Sequence, residues 1–119
     1  MADILVADDE EELLELIRFS LDAAGYNVTP VKNGKQAVDT FAEKRFDLVI
    51  LDVMMPQMDG YHAAAEINQD PKAPPILLLT SRDFDQDQTA IKGSGASAFL
   101  SKPFEISELL KTVDGLINQ

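Results

Sequence analysis

The chain contains no cysteine, and this excludes disulfides, thiolate catalysis and any Cys-ligated zinc site. It has no run approaching the roughly 18 to 20 apolar residues of a membrane helix, and its start lacks the basic, apolar, small-residue order of an export signal. A cytoplasmic location is therefore expected. Positive charge is also scarce, with 10 Lys and Arg against 21 Asp and Glu, a formal net charge of -11. Direct nucleic-acid binding needs clustered cations to neutralise phosphates, and the few present are scattered. No repeat, low-complexity tract or linker interrupts the 119 residues. A chain of this size is expected to form one domain with a single core, burying about two thirds of its unfolded surface.

Hydrophobic runs alternate with helical patterns from end to end. Ile4 to Ala7 reads as a strand, followed by Leu13, Leu14, Ile17, Leu21 and Ala24 at helical spacing up to the capping Gly25. A weaker strand over 26–31 contains Pro30, which removes a ladder donor and suits an edge. A helix over 34–44 precedes the apolar strand 47–51. The loop 54–59 leads into a helix over about 60–69, and Asp59-Gly60 reads as a turn and helix entry where glycine permits a close approach or unusual backbone angles. A strand at 76–79, a helix over about 85–94, a strand at 98–101 and a last helix over about 105–117 complete the chain, the last with Ile106, Leu109, Leu110, Val113 and Ile117 inward. Five strands alternating with five helices predict an α/β fold, a doubly wound parallel sheet in the order 2-1-3-4-5, flavodoxin-like, with strands buried on both faces.

Ligands of such sheets sit beyond the carboxyl ends of the strands. Strand one runs into Asp8-Asp9, strand three into Asp52, strand four into Thr80 and strand five into Ser101-Lys102; the edge strand ends in Lys32-Asn33. Three carboxylates ~4 Å apart repel by about 1 kcal/mol per pair in water and about 4 at an effective dielectric of 20. Lys102 and a hard divalent cation would balance the three charges. Magnesium fits best, because it takes one or two carboxylates and recruits phosphate oxygens. A nucleophilic aspartate beside such a cation, with a hydroxyl and an amine to grip spare oxygens, is equipped for phosphoryl transfer.

Four stretches, ILVADDE from Ile4, DLVILDVMMPQMDG from Asp47, ILLLTSRD from Ile76 and GASAFLSKPF from Gly95, closely resemble the receiver domain of two-component response regulators. The resemblance covers essentially the whole chain, so residues 1–119 are expected to be one receiver domain with no output domain. It implies that Asp52 is the phospho-acceptor for a phosphohistidine on a kinase or phosphotransfer protein. Magnesium would be held by Asp9, Asp52 and the Met54 backbone carbonyl, with Asp8 assisting. Thr80 and Lys102 would engage phosphoryl oxygens, Lys102-Pro103 would be cis, and Phe99 would be the switch aromatic. Phosphorylation would then alter the surface formed by the fourth helix, fifth strand and fifth helix for a downstream partner. The expected module catalyses only its own phosphotransfer and dephosphorylation and is not a turnover enzyme.

Departures from the family pattern refine this reading. Met54 and Arg82 flank the acceptor and neither can align a water as an acid or amide does, so a long-lived phosphoryl group is expected. Ser97 and Ala98 stand where receivers joined to winged-helix domains often carry two acids, which favours a monomer or weak dimer. A phosphohydrolase is disfavoured because Met54 occupies the usual place of its general acid; a phosphorylation-independent docking module is disfavoured by retention of Asp8, Asp9, Asp52, Thr80 and Lys102. A flavin site is disfavoured because acids follow strand one where a phosphate would sit. Glu10, Glu11 and Glu12 read as a solvated helix start, His62 as a surface residue, Phe84 and Ile91 as core, Met54, Met55 and Met58 as packing of the acceptor loop, and Gly93 to Ala98 as helix capping in place of a dinucleotide motif.

Overall fold

The computed structural model describes residues 2–81 and 93–118. Strands β1 (Asp3–Ala7), β2 (Asn27–Val31), β3 (Leu48–Asp52), β4 (Ile76–Thr80) and β5 (Ala98–Ser101) form one parallel sheet in the order β2-β1-β3-β4-β5. Helices α1 (Glu11–Ala23), α2 (Gly34–Phe41), α3 (Gly60–Ile67) and α4 (Ile106–Ile117) connect and cover it. The helix expected over about 85–94 falls outside the described residues except for its end, where Gly93 and Ser94 are helical; Arg82, Phe84 and Ile91 also lie outside them.

Alternate residues of the continuous apolar strands feed two separate layers. Leu5, Ala7, Val49, Leu51, Ile76 and Leu78 pack with Ala37 of α2 and Ala63, Ala64 and Ile67 of α3. Their strand neighbours Ile4, Val6, Leu48, Ile50, Leu77 and Leu79 pack with Leu14, Ile17 and Leu21 of α1 and Leu109, Val113 and Leu116 of α4. The period of two is hidden in the sequence because both faces are covered. The single core expected from chain length is thus two cores divided by the sheet.

Element ends differ from the periodic reading in small ways. Asp52 and Thr80 are the last residues of their strands and not the first beyond them, because each still pairs with a neighbouring strand. Helix α2 stops at Phe41 and α3 at Ile67. Ala24 is the C-cap of α1 and is exposed, while Gly25 follows with φ 97°, a left-handed conformation that suits glycine. On α4, Leu116 is buried alongside Leu109 and Val113, whereas Ile106, Leu110 and Ile117 are only partly covered. Pro30 sits on β2, an edge strand paired only to β1.

From β1 the chain winds outward to β2 and then returns to β3 on the other side. The direction of winding therefore reverses between β1 and β3, and the carboxyl ends of these two strands border a crevice. The register Ala7↔Leu51 sets the residues that follow, Asp8 and Asp52, side by side.

Candidate functional site

Each acidic side chain reaches the crevice through its strand. Asp8 directly follows β1 and is fully buried; its backbone N–H donates to the Val31 carbonyl at 3.2 Å, and its Oδ1 accepts the Glu10 N–H at 2.9 Å. Asp52 ends β3 with 3% exposure, and the chain beyond it is held back to the sheet by the Val53 N–H donating to the Leu79 carbonyl at 2.9 Å. The loop that follows is closed by the Gly60 N–H donating to the Val53 carbonyl at 2.9 Å. A Cβ on Gly60 would stand 2.5 Å from the Asp52 carbonyl oxygen and 2.9 Å from the Val53 Cα, so glycine is what allows α3 to start this close to the end of β3.

Lys102 enters from the far side of the sheet. Its backbone N–H donates to the Thr80 carbonyl at 2.7 Å, extending the β4–β5 pairing one residue past β5, and Lys102-Pro103 is a cis peptide. The ammonium lies 3.0 Å from Asp52 Oδ1, 3.2 Å from Asp8 Oδ2 and 3.5 Å from Glu10 Oε1. Carboxylate oxygens of Asp8, Glu10 and Asp52 all lie within 4.8 Å of one another. Thr80, at the end of β4, is buried at the same rim.

One ammonium does not balance this much negative charge. Burial first, and then the Asp8 charge, push the Asp52 carboxyl up to about 6, against the opposing pull of Lys102; the Asp9 charge adds to the rise. Burial also raises Asp8, although the Glu10 N–H and Lys102 partly offset it. For Lys102 burial disfavours the charged form, but the bond and charge of Asp52, followed by those of Asp8, outweigh it and hold its pKa above the ordinary lysine value. Buried, mutually repelling oxygens that resist ionisation are the donor set a small hard cation satisfies, so the residues present fit magnesium.

The expected site residues do not all converge equally. Asp8, Asp52, Thr80 and Lys102 meet at the rim. Asp9 is exposed and stands outside the three-acid group, although close enough for its charge to act on Asp52. Met54, 53% exposed, lies on the loop just beyond Asp52. Phe99 is half-buried in β5 and packs toward the α2 and α3 layer. Glu10 departs from its reading as a mere helix-start charge: it is the N-cap of α1 and reaches Lys102. Its position directly after Asp8-Asp9 is a weak sequence signal, because the same position also precedes a helix. His62 is exposed, with Nδ1 3.0 Å from Asp59, and Gly95 turns the chain with φ 74° into β5, as helix closure requires. A groove of about 410 Å³ beside Lys102 is lined by Leu13, Leu16, Pro103, Phe104 and Ile106. No helix among the described residues is long and apolar enough to cross a membrane.

Residues 4–114 match the model of the response regulator receiver domain family. The chain is 39% identical over 116 residues to the response regulator MprA of Mycolicibacterium vanbaalenii, covering 98% of this chain and 50% of that protein. It spans about half the length of the curated relatives it matches. Among solved structures, the chemotaxis response regulator CheY4 of Vibrio cholerae superposes with a TM-score of 0.91 at 33% identity, covering 98% of each chain. The receiver domain of the sensor histidine kinase PA1611 of Pseudomonas aeruginosa, with a magnesium ion coordinated in its active-site cleft, matches with a TM-score of 0.91 at 31% identity, covering 99% of this chain and 98% of that one.

Proposed function

This chain belongs to the response regulator receiver domain family, and from that premise we propose that it is a phosphorylation switch whose acceptor is Asp52. The observation that carries this reading is the meeting of buried Asp52 and Asp8 around a single ammonium at the reversal point of the sheet. In the proposed step an Asp52 carboxylate oxygen attacks the phosphorus of a phosphohistidine. The new O–P bond forms as the P–N bond breaks, and the imidazole nitrogen leaves with the electron pair. Lys102, already 3.0 Å from Asp52 Oδ1, would pair with one phosphoryl oxygen, and the Thr80 hydroxyl would donate to another. Magnesium, held by Asp9, Asp52 and the Met54 carbonyl with Asp8 assisting, would neutralise charge gathering on the phosphoryl oxygens. The cation held in the cleft of the similar receiver PA1611 supports that assignment.

The donor would be a histidine kinase or histidine phosphotransfer protein, lying along the apolar groove beside Lys102. After transfer the Asp52 side chain carries roughly -1.5 to -2 in place of one charge. Thr80 and Lys102 are joined to β4 and β5 by the bond from the Lys102 N–H to the Thr80 carbonyl, so movement of either shifts what β5 and α4 present to an output partner. The chain is then a signalling module and not a turnover enzyme. Incubation with acetyl phosphate and magnesium, read by intact mass, tests the reading: one phosphoryl adduct is expected in the wild type and none in Asp52→Asn. An adduct that persists in Asp52→Asn, or none with any donor, overturns it, the latter in favour of phosphorylation-independent docking.

A further inference from the structure

The four described helices treat their N-caps differently. Asn33 and Asp59 accept backbone N–H bonds from Gln36 and His62, and Glu105 shares a reciprocal capping box with Glu108. Glu10, the N-cap of α1, makes no side-chain cap bond. Glutamate is not among the residues favoured at this position, where Ser, Thr, Asp or Asn more readily cap the helix. A cap bond therefore does not account for Glu10. Its side chain, 64% exposed, instead places Oε1 3.5 Å from Lys102 Nζ, on the solvent side of the buried Asp8 and Asp52. Its backbone N–H meanwhile fixes Asp8 Oδ1.

Lys102 and a divalent cation compete for the same oxygens. The ammonium is 3.2 Å from Asp8 and 3.0 Å from Asp52, and a second positive charge on those carboxylates would repel it. Outward displacement needs an acceptor, because a partly buried ammonium without one is unfavourable. Glu10 is the only other carboxylate within 4 Å of Lys102 among the described residues.

We propose that Glu10 is a positioning residue that receives the Lys102 ammonium when a divalent cation binds at the Asp52 carboxylate with Asp8 assisting, so that both cations are held at once. This rests on the magnesium reading of the site. It is tested by calorimetric titration of the purified chain with magnesium chloride, comparing wild type, Glu10→Gln, Glu12→Gln, Lys102→Met and the Glu10→Gln/Lys102→Met double variant. Thermal melts without magnesium confirm folding of each. Glu10→Gln is expected to weaken magnesium about threefold to fivefold, the fold-change of a partly exposed ion pair, with Glu12→Gln changing it less. In the Lys102→Met background the Glu10→Gln effect should vanish, since the coupling runs through Lys102. An equal effect of Glu12→Gln would reduce Glu10 to net charge, and an effect that survives Lys102→Met would make it a contact of the cation itself; either overturns the proposal. Absence of magnesium binding by the wild type instead overturns the cation reading, and this inference with it.

Discussion

Burial first and the Asp8 charge second raise the Asp52 carboxyl from an ordinary value of 3.8 to about 6, so the folded chain binds this proton more tightly than the unfolded chain does. The sign is opposite to that of an acid stabilised by a salt bridge. Asp52 favours folding most below about pH 4 and loses that contribution as pH climbs through about 6. Asp8, also raised, acts in the same direction. In urea denaturation without divalent cations, the stability of wild type relative to Asp52→Asn should therefore decline from about pH 4 to about pH 6, leaving Asp52→Asn the more stable at pH 7. Identical pH profiles would contradict the raised Asp52 pKa. At this scale Asp8, Asp52, Thr80 and Lys102 were legible in the sequence, because each follows or ends an apolar strand. Glu10 was not, since its side chain could equally have capped the helix it precedes.

At the scale of elements, little room separates α3 from β3. Helix α3 is capped by the Asp59 side chain, which accepts the His62 N–H at 2.9 Å, and its first residue has backbone atoms of Asp52 and Val53 where a side chain would stand. Asp52 pairs with Leu79 of β4 and the Val53 N–H donates to the Leu79 carbonyl, so this backbone is tied to the sheet on the β4 side. Gly60→Ala should cost about 1 to 3 kcal/mol of stability by overpacking, seen as a lower urea midpoint with unchanged slope, and should displace the loop that bears Met54. Unchanged stability would show that the loop relaxes freely. Strand and helix order was readable from alternating apolar runs and helical spacing. The ends were less so: the pairing that keeps Asp52 and Thr80 within their strands depends on neighbours far along the chain.

For the molecule as a whole, the proposed cation would link its binding to folding through the same carboxylates. A cation that binds only the folded chain adds about 2.7 kcal/mol at a hundredfold excess over its dissociation constant, equivalent to about 10 °C in a domain of this size. Wild type should gain that in thermal melts with magnesium. Asp52→Asn, relieved of repulsion but lacking an anionic ligand, should start higher and gain less. An equal gain in both would place the cation elsewhere.

Local pattern determined the element order, the parallel sheet and the rim on which the chemistry-bearing residues fall, because burial of a strand on both faces requires a continuous apolar run and its end must turn polar. Tertiary structure alone decided the geometry of the charges. Asp8 and Lys102 are 94 residues apart in the chain yet joined by a 3.2 Å contact. Only packing of the sheet could set that distance, bury Asp8 and Asp52 while leaving Asp9 exposed, and turn Glu10 from helix cap toward the lysine. Local preference acts over a few residues, whereas the burial and the charges that shift Asp52 come from distant parts of the chain, including Asp8 and Lys102 just beyond β1 and β5.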